Sequence, residues 1–160
     1  MTRNGIVALM QDLTTDQARQ LMSEAMVAHL GVIDHGEPYV TPISFVVADN
    51  AICVRTGGGR RVDAIAENPR VCVEASEFDV DSGNWQSAIA WGEAELMEDD
   101  AGARDIVLAL MEKYRPSIGS PLSPGGSFPG AGVIIRIPID HITGRASGSF
   151  FSVRTRPGRL

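Results

Sequence analysis

An antiparallel barrel flanked by helices, in the mainly β, α+β class, is the fold this sequence predicts, and three observations predict it. Six or so short apolar runs have the two-residue period of strands. Most are separated by tight connections built from Gly, Asn and Asp. Two substantial helical patterns and one short one are inserted among them instead of following every strand, as a doubly wound parallel sheet would require.

A chain of 160 residues and 17.1 kDa suits one domain with a sizeable core, and 44% hydrophobic against 21% charged residues is ordinary globular composition. Residues 1–13 read as an arm, 14–146 as the folded domain and 147–160 as a tail. A net charge of −6 argues against a general nucleic-acid binder, which needs a basic face to neutralise phosphates. No apolar run is long enough for a membrane span, and the short patch Ile6 to Met10 does not form a signal, so a cytoplasmic location is expected. Cys53 and Cys72 lie in β-branched runs and read as buried free thiols. His29, His35 and His141 are too scattered for a structural metal, and His35, in a turn, is expected in solvent.

Taken in order, Thr14 and Gln17 form a capping-box pattern, and Ala18, Leu21, Met22 and Ala25 give the following helix one apolar face. A strand over 29–33 ends at the turn 34–37; a second runs from Pro38 to Val47; a third runs from Ala51 to Thr56 after the turn 48–50. Arg61 to Asn68 reads as a short helix with Val62, Ile65 and Ala66 inward, closed by Pro69. Val71 to Ala75 is the next strand, and Glu77 to Asn84 an exposed acidic loop without calcium-loop spacing. Trp85 to Met97 alternates as one long strand. Asp99 or Asp100 is placed to cap a helix reaching Tyr114, with Ile106, Val107, Leu110 and Met111 on one face. Residues 117–130 form a long loop; Val133 to Ile137 is the last clear strand, Pro138 marks an edge or bulge, and Ile139 to Thr143 continues it.

Function concentrates in Val54-Arg55-Thr56-Gly57-Gly58-Gly59-Arg60-Arg61-Val62. Glycines can turn N–H groups inward, a helix start adds partial positive charge, and arginines add forked donors, so the stretch can cradle an anion; the other reading is a Gly-rich hairpin end with solvated arginines. The stretch lacks the final glycine of a dinucleotide fingerprint and fails P-loop spacing, and Gly125 to Pro129 misses the nucleophile elbow. Without a triad, metal set or isolated carboxylate pair, the chain shows little chemistry of its own, which is informative if a cofactor does the chemistry and the protein supplies position and electrostatics.

The succession Thr-Pro-Ile-Ser-Phe at 41–45, Val-Arg-Thr-Gly at 54–57, Gly-Arg-Arg-Val-Asp-Ala-Ile at 59–65, Asn-Pro-Arg-Val at 68–71, Trp-Gln-Ser at 85–87 and Gly-Glu-Ala at 92–94 resembles the pyridoxamine 5′-phosphate oxidase-like flavin-binding split barrels, nitroimidazole-resistance-like branch. The resemblance implies a six-stranded split β-barrel, a homodimer, and flavin mononucleotide (FMN) in two clefts at the subunit interface. It assigns the phosphate to Thr56 and Arg60 or Arg61, with Arg55 in the same stretch. Pro42, Ile43 and Ser44 run beside the ring, and Trp85, Gln86 and Ser87 line the cleft. No protein group is implied as catalytic: reduced flavin passes hydride to a small nitroaromatic- or quinone-like electrophile. Related barrels take a deazaflavin or haem instead, and a non-catalytic flavin-binding or sensory module is the alternative outside enzymes. Arg61 stands where the family often has lysine, and the Arg-Leu-His-x-Arg substrate-phosphate signature is absent, so pyridoxamine phosphate is not the expected substrate.

Overall fold

The structure is a computed structural model that describes residues 10–98, 101–115 and 132–148. Its strands are β1 (Met10–Asp12), β2 (Ala28–Asp34), β3 (Glu37–Ile43), β4 (Val46–Ala48), β5 (Ala51–Thr56), β6 (Arg70–Phe78), β7 (Trp85–Glu93), β8 (Glu95–Glu98), β9 (Val133–Pro138) and β10 (His141–Ser147). The helices are α1 (Thr15–Glu24), α2 (Arg60–Glu67) and α3 (Arg104–Lys113), the last entered through a 3-10 turn at Ala101–Ala103. All pairings are antiparallel, in one sheet ordered β1-β10-β7-β6-β2-β3 and another ordered β4-β5-β9-β8.

Three chain segments bend from one sheet into the other: β3 into β4, β7 into β8, and β9 into β10. With those pairs joined, the barrel has six long strands plus the short β1, so the split-barrel reading holds. The expected single strands 38–47 and 85–97 are corrected here: each breaks at a buried residue, Phe45 at 0% exposure and Ala94 at 8%. Ile139 marks the third corner at 5%, which separates β10 from β9 where one continued strand was expected. Pro138 is not on an edge strand, since β9 lies between β5 and β8; it ends β9, where its missing N–H is tolerated.

Each corner frees backbone groups from a ladder, and each finds them a partner. Phe45 N–H donates to the Tyr114 hydroxyl (2.9 Å), which donates in turn to Met26 O (2.8 Å). Ala94 N–H donates to Pro69 O (2.8 Å), Ile139 N–H to Asn50 O (2.9 Å) and Asp140 N–H to Trp91 O (3.0 Å). At Gly92 a Cβ would lie 2.1 Å from Pro138 O, so glycine lets two bent strands cross closely.

The capping box forms as expected, with Thr14 N–H to Gln17 Oε1 (2.9 Å) and Gln17 N–H to Thr14 Oγ1 (3.2 Å), and Ala18, Leu21, Met22 and Ala25 are buried. They share one core with Leu30, Val73, Ala88, Ala90 and Ile137, into which α2 packs Ala64 and Ile65. Ala64 takes the place expected for Ala66, which is exposed; on α3 Leu110 is buried and Met111 is not, and Tyr114, just past the helix end, is buried as well. Glu77 and Phe78 belong to β6, leaving 79–84 as the loop; Met10–Asp12, in the stretch read as an arm, pairs with β10. Cys53 is buried but Cys72 only half-buried, because its strand position faces outward. The caps Asp99 and Asp100, the 117–130 loop and residues 149–160 of the tail lie outside the described residues.

Tyr114→Phe strands the buried Phe45 N–H and is expected to cost about 1–3 kcal/mol in urea unfolding. Gly92→Ala drives a methyl into a carbonyl and is expected to cost at least as much; wild-type midpoints for both would refute the corner account.

Candidate functional site

The β5 strand buries Thr56 at its end (4% exposed) and delivers the chain into the three glycines. Gly58 (φ 102°) and Gly59 (φ 98°) adopt backbone angles that side chains resist, and no neighbour lies within 4 Å of a Cβ built at either. Gly59 is the N-cap of α2 and brings no side chain to the orphan amides of the first turn. The expectation that the glycines open a helix therefore holds.

The two arginines part at that point. Arg61 turns back over the strand ends: its guanidinium donates to Thr41 Oγ1 (3.2 Å), Pro42 O (3.4 Å) and Thr56 Oγ1 (3.3 Å). Burial pushes its pKa down, and among the described residues none of its hydrogen-bond partners is a carboxylate. Arg60 turns the other way, donating through Nε to Asp34 Oδ2 (2.5 Å) with Cζ 4.1 Å above the Tyr39 ring centroid. Its pKa is raised by that hydrogen bond first and by the charge of Asp34 after it.

Of the residues expected beside a ring, Pro42 and Ser44 are exposed while Ile43 faces the core at 4% exposure. Arg55 is half-buried opposite Ile134. On β7 the alternation read from sequence is present: Trp85 and Ser87 point to the open side of the sheet and Gln86 inward. Gln86 is 1% exposed; its Nε2 donates to Glu77 Oε2 (2.9 Å) while its Oε1 has no partner among the described residues. Ser87 Oγ donates to Glu74 Oε1 (2.9 Å), whose other oxygen lies 3.3 Å from His29 Nδ1, a contact the sequence did not suggest.

Within one chain these two groups are not together. In sheet order β6 and β2 stand between β7 and β3, a separation of roughly 14 Å at ordinary strand spacing. Among the described residues the face they share is open, since α1 and α2 pack on the opposite, core-facing side. Val40 (61%) and Trp91 (39%) are exposed there, with Trp91 stacked on His141 at 5.3 Å. A concavity of about 460 Å³ lies on this face, floored by Gly31, Val40, Cys72 and Trp91 and rimmed by Arg70 and Glu93; it does not reach Arg61 or Thr56. His35 is 79% exposed, as its turn position implied.

The family profile described as pyridoxamine 5′-phosphate oxidase matches residues 14–146. Among solved structures, an FAD-binding protein of Mesorhizobium loti is 23% identical with a TM-score of 0.70, covering 88% of this chain and 99% of that one. A candidate 5-nitroimidazole antibiotic resistance protein of Bacteroides thetaiotaomicron is 20% identical with a TM-score of 0.66, covering 86% and 89%. An FAD and haem binding protein of Mycobacterium smegmatis is 17% identical with a TM-score of 0.64, covering 93% and 76%. At these identities the likenesses establish the fold.

A half-buried guanidinium on neutral acceptors should welcome an anion. Inorganic phosphate is expected to stabilise the wild type, by about 2.7 kcal/mol at a hundredfold excess over its dissociation constant. Arg61→Met should abolish that gain in thermal melts without lowering the phosphate-free midpoint; a wild type indifferent to phosphate would sink the cradle.

Proposed function

Since this chain belongs to the pyridoxamine 5′-phosphate oxidase family, we propose that it is a flavoprotein that holds FMN by its phosphate at Arg61 and Thr56. One observation carries the reading: Arg61 is desolvated and, among the described residues, bound only to neutral oxygens, while its neighbour Arg60 already has Asp34. A phosphate dianion offers Arg61 the charged acceptor it lacks, and the uncapped start of α2 adds amide donors. The residues thus fit the group. Pro42 and Ser44, exposed and next to the Pro42 carbonyl that Arg61 touches, then flank the ring.

Bound flavin supplies hydride transfer to a small electrophile of nitroaromatic or quinone type. The chain's part is to seat the phosphate, orient the ring along β3 and keep water from one of its faces. Trp85 and Ser87 sit on the open sheet face about three strands away, so they complete a cleft only if a second copy brings its β7 to this copy's β3. A homodimer joined through that face accounts for both the separation and the uncovered Val40 and Trp91. Haem is the second reading, supported by the Mycobacterium smegmatis likeness.

The isolated protein is expected to be yellow, with flavin released on denaturation; a Soret band would favour haem, and a colourless protein that takes up no flavin on titration would refute the proposal. Arg61→Ala should weaken FMN about 10–100-fold. Arg60→Ala should leave FMN affinity unchanged, because Asp34 already holds that side chain. Trp91→Lys should give a monomer by sedimentation and lose flavin with it; a dimer that keeps its flavin would exclude this face as the interface. Turnover of a nitro compound or quinone with a reductant, lost in Arg61→Ala, separates an enzyme from a flavin-binding module.

A further inference from the structure

Three polar side chains form a hydrogen-bonded row across the open face of the sheet. His29 on β2 and Glu74 on β6 are register partners with Nδ1 3.3 Å from Oε2, and Ser87 on β7 donates its hydroxyl to the other oxygen, Oε1, at 2.9 Å. The carboxylate is thus held from both sides. Because a carboxylate only accepts, Nδ1 must carry a proton in this pair, which leaves Nε2 as the nitrogen that gains and loses one. The His29 side chain is 49% exposed, so it is anchored at one edge and accessible beyond it.

Position matters as much as orientation. The other register partner of His29 is Pro42 on the edge strand β3, so the two side chains leave the same face of adjacent strands with Cβ atoms about 5 Å apart. Pro42 is also the residue whose carbonyl accepts from Arg61. Around His29 on that face, β6 presents Glu74 and the Cys72 thiol, β3 presents Pro42 and Val40, and β7, one strand further, presents Ser87 and Ile89. Among the described residues its ion-pair partner is Glu74.

Resting on the flavin reading above, we propose that His29 is a catalytic residue of that site, the acid that protonates a quinone-type acceptor lying on the ring beside Pro42. Glu74, steadied by Ser87, is the residue that positions it. Hydride brings the acceptor both electrons and one hydrogen, and the Nε2 proton goes to the other quinone oxygen, so that hydroquinone is formed. The neutral imidazole then regains a proton from water.

The test uses the flavin-loaded full chain, reduced anaerobically and mixed with benzoquinone or with ferricyanide, which takes one electron at a time and needs no proton. An acid acts only while protonated, so the wild-type quinone rate should fall as pH rises. His29→Gln should slow quinone reduction about a hundredfold and lose that pH dependence, while the ferricyanide rate and the FMN dissociation constant keep their wild-type values. In flavin-free protein, nitrogen NMR of the imidazoles in alkaline buffer should place the His29 proton on Nδ1, and Glu74→Gln should mix the tautomers. Wild-type quinone rates in His29→Gln, an equal loss with both acceptors, or mixed tautomers in the wild type would overturn the assignment and leave flavin binding standing. A wild type that binds no FMN would overturn both this assignment and the reading it rests on.

Discussion

The barrel depends on satisfying backbone groups where strands leave one sheet for the other. A bent strand buries apolar side chains on both sides of the corner but loses ladder partners at it, and an orphaned buried amide costs about as much as a whole hydrogen bond contributes. At the first corner the partner is a side chain from 69 residues away, the Tyr114 hydroxyl on Phe45; at the others it is a carbonyl, Pro69 on Ala94 and Asn50 on Ile139. Because Phe45 follows Ser44 and Ile43, the tyrosine that anchors the corner also fixes the outgoing end of β3, where the candidate ring-binding residues lie. Lys113, one residue before it, lies 3.9 Å above the Phe45 ring, and burial brings its pKa down to about 8.

Those corners also bring the site together. The β3 strand ends in one sheet and β5 lies in the other, so Thr41, Pro42 and Thr56 become neighbours only because the chain between them bends. Arg61 then bridges the gap with a single side chain. Arg60, held by a carboxylate 26 residues away, is removed from the same space. The two arginines end in different surroundings: one is desolvated beside neutral oxygens, the other is paired with a carboxylate and laid flat on a ring.

What could be read from sequence follows from how local each cause is. The capping box of α1 is three residues wide, and β5 is bounded by a tight turn and a glycine run, so both were legible to the residue. The corner at Phe45 leaves a faint trace, two consecutive buried positions in an otherwise alternating run. At Ala94 even that trace is missing, since burial alternates without a break from Gly92 to Glu95, and only the long-range contact to Pro69 bends the strand. The β1 strand is exposed at every residue and carries no apolar period. The choice between Arg60 and Arg61 was out of reach for the same reason: adjacent residues on a helix point about 100° apart, and which direction meets Asp34 is a tertiary fact.

Helix α2 has eight residues, and its N-cap, Gly59, makes no side-chain bond. A segment so short has little stability of its own, and the missing cap is worth about 1 kcal/mol where Ser, Thr, Asp or Asn supplies it. An anion seated against those amides, as proposed, would stand in for the absent side chain. Were the proposed site filled, its occupancy and the order of the first turn of α2 would be one equilibrium, and the affinity for a phosphate ligand would include the free energy of finishing that helix.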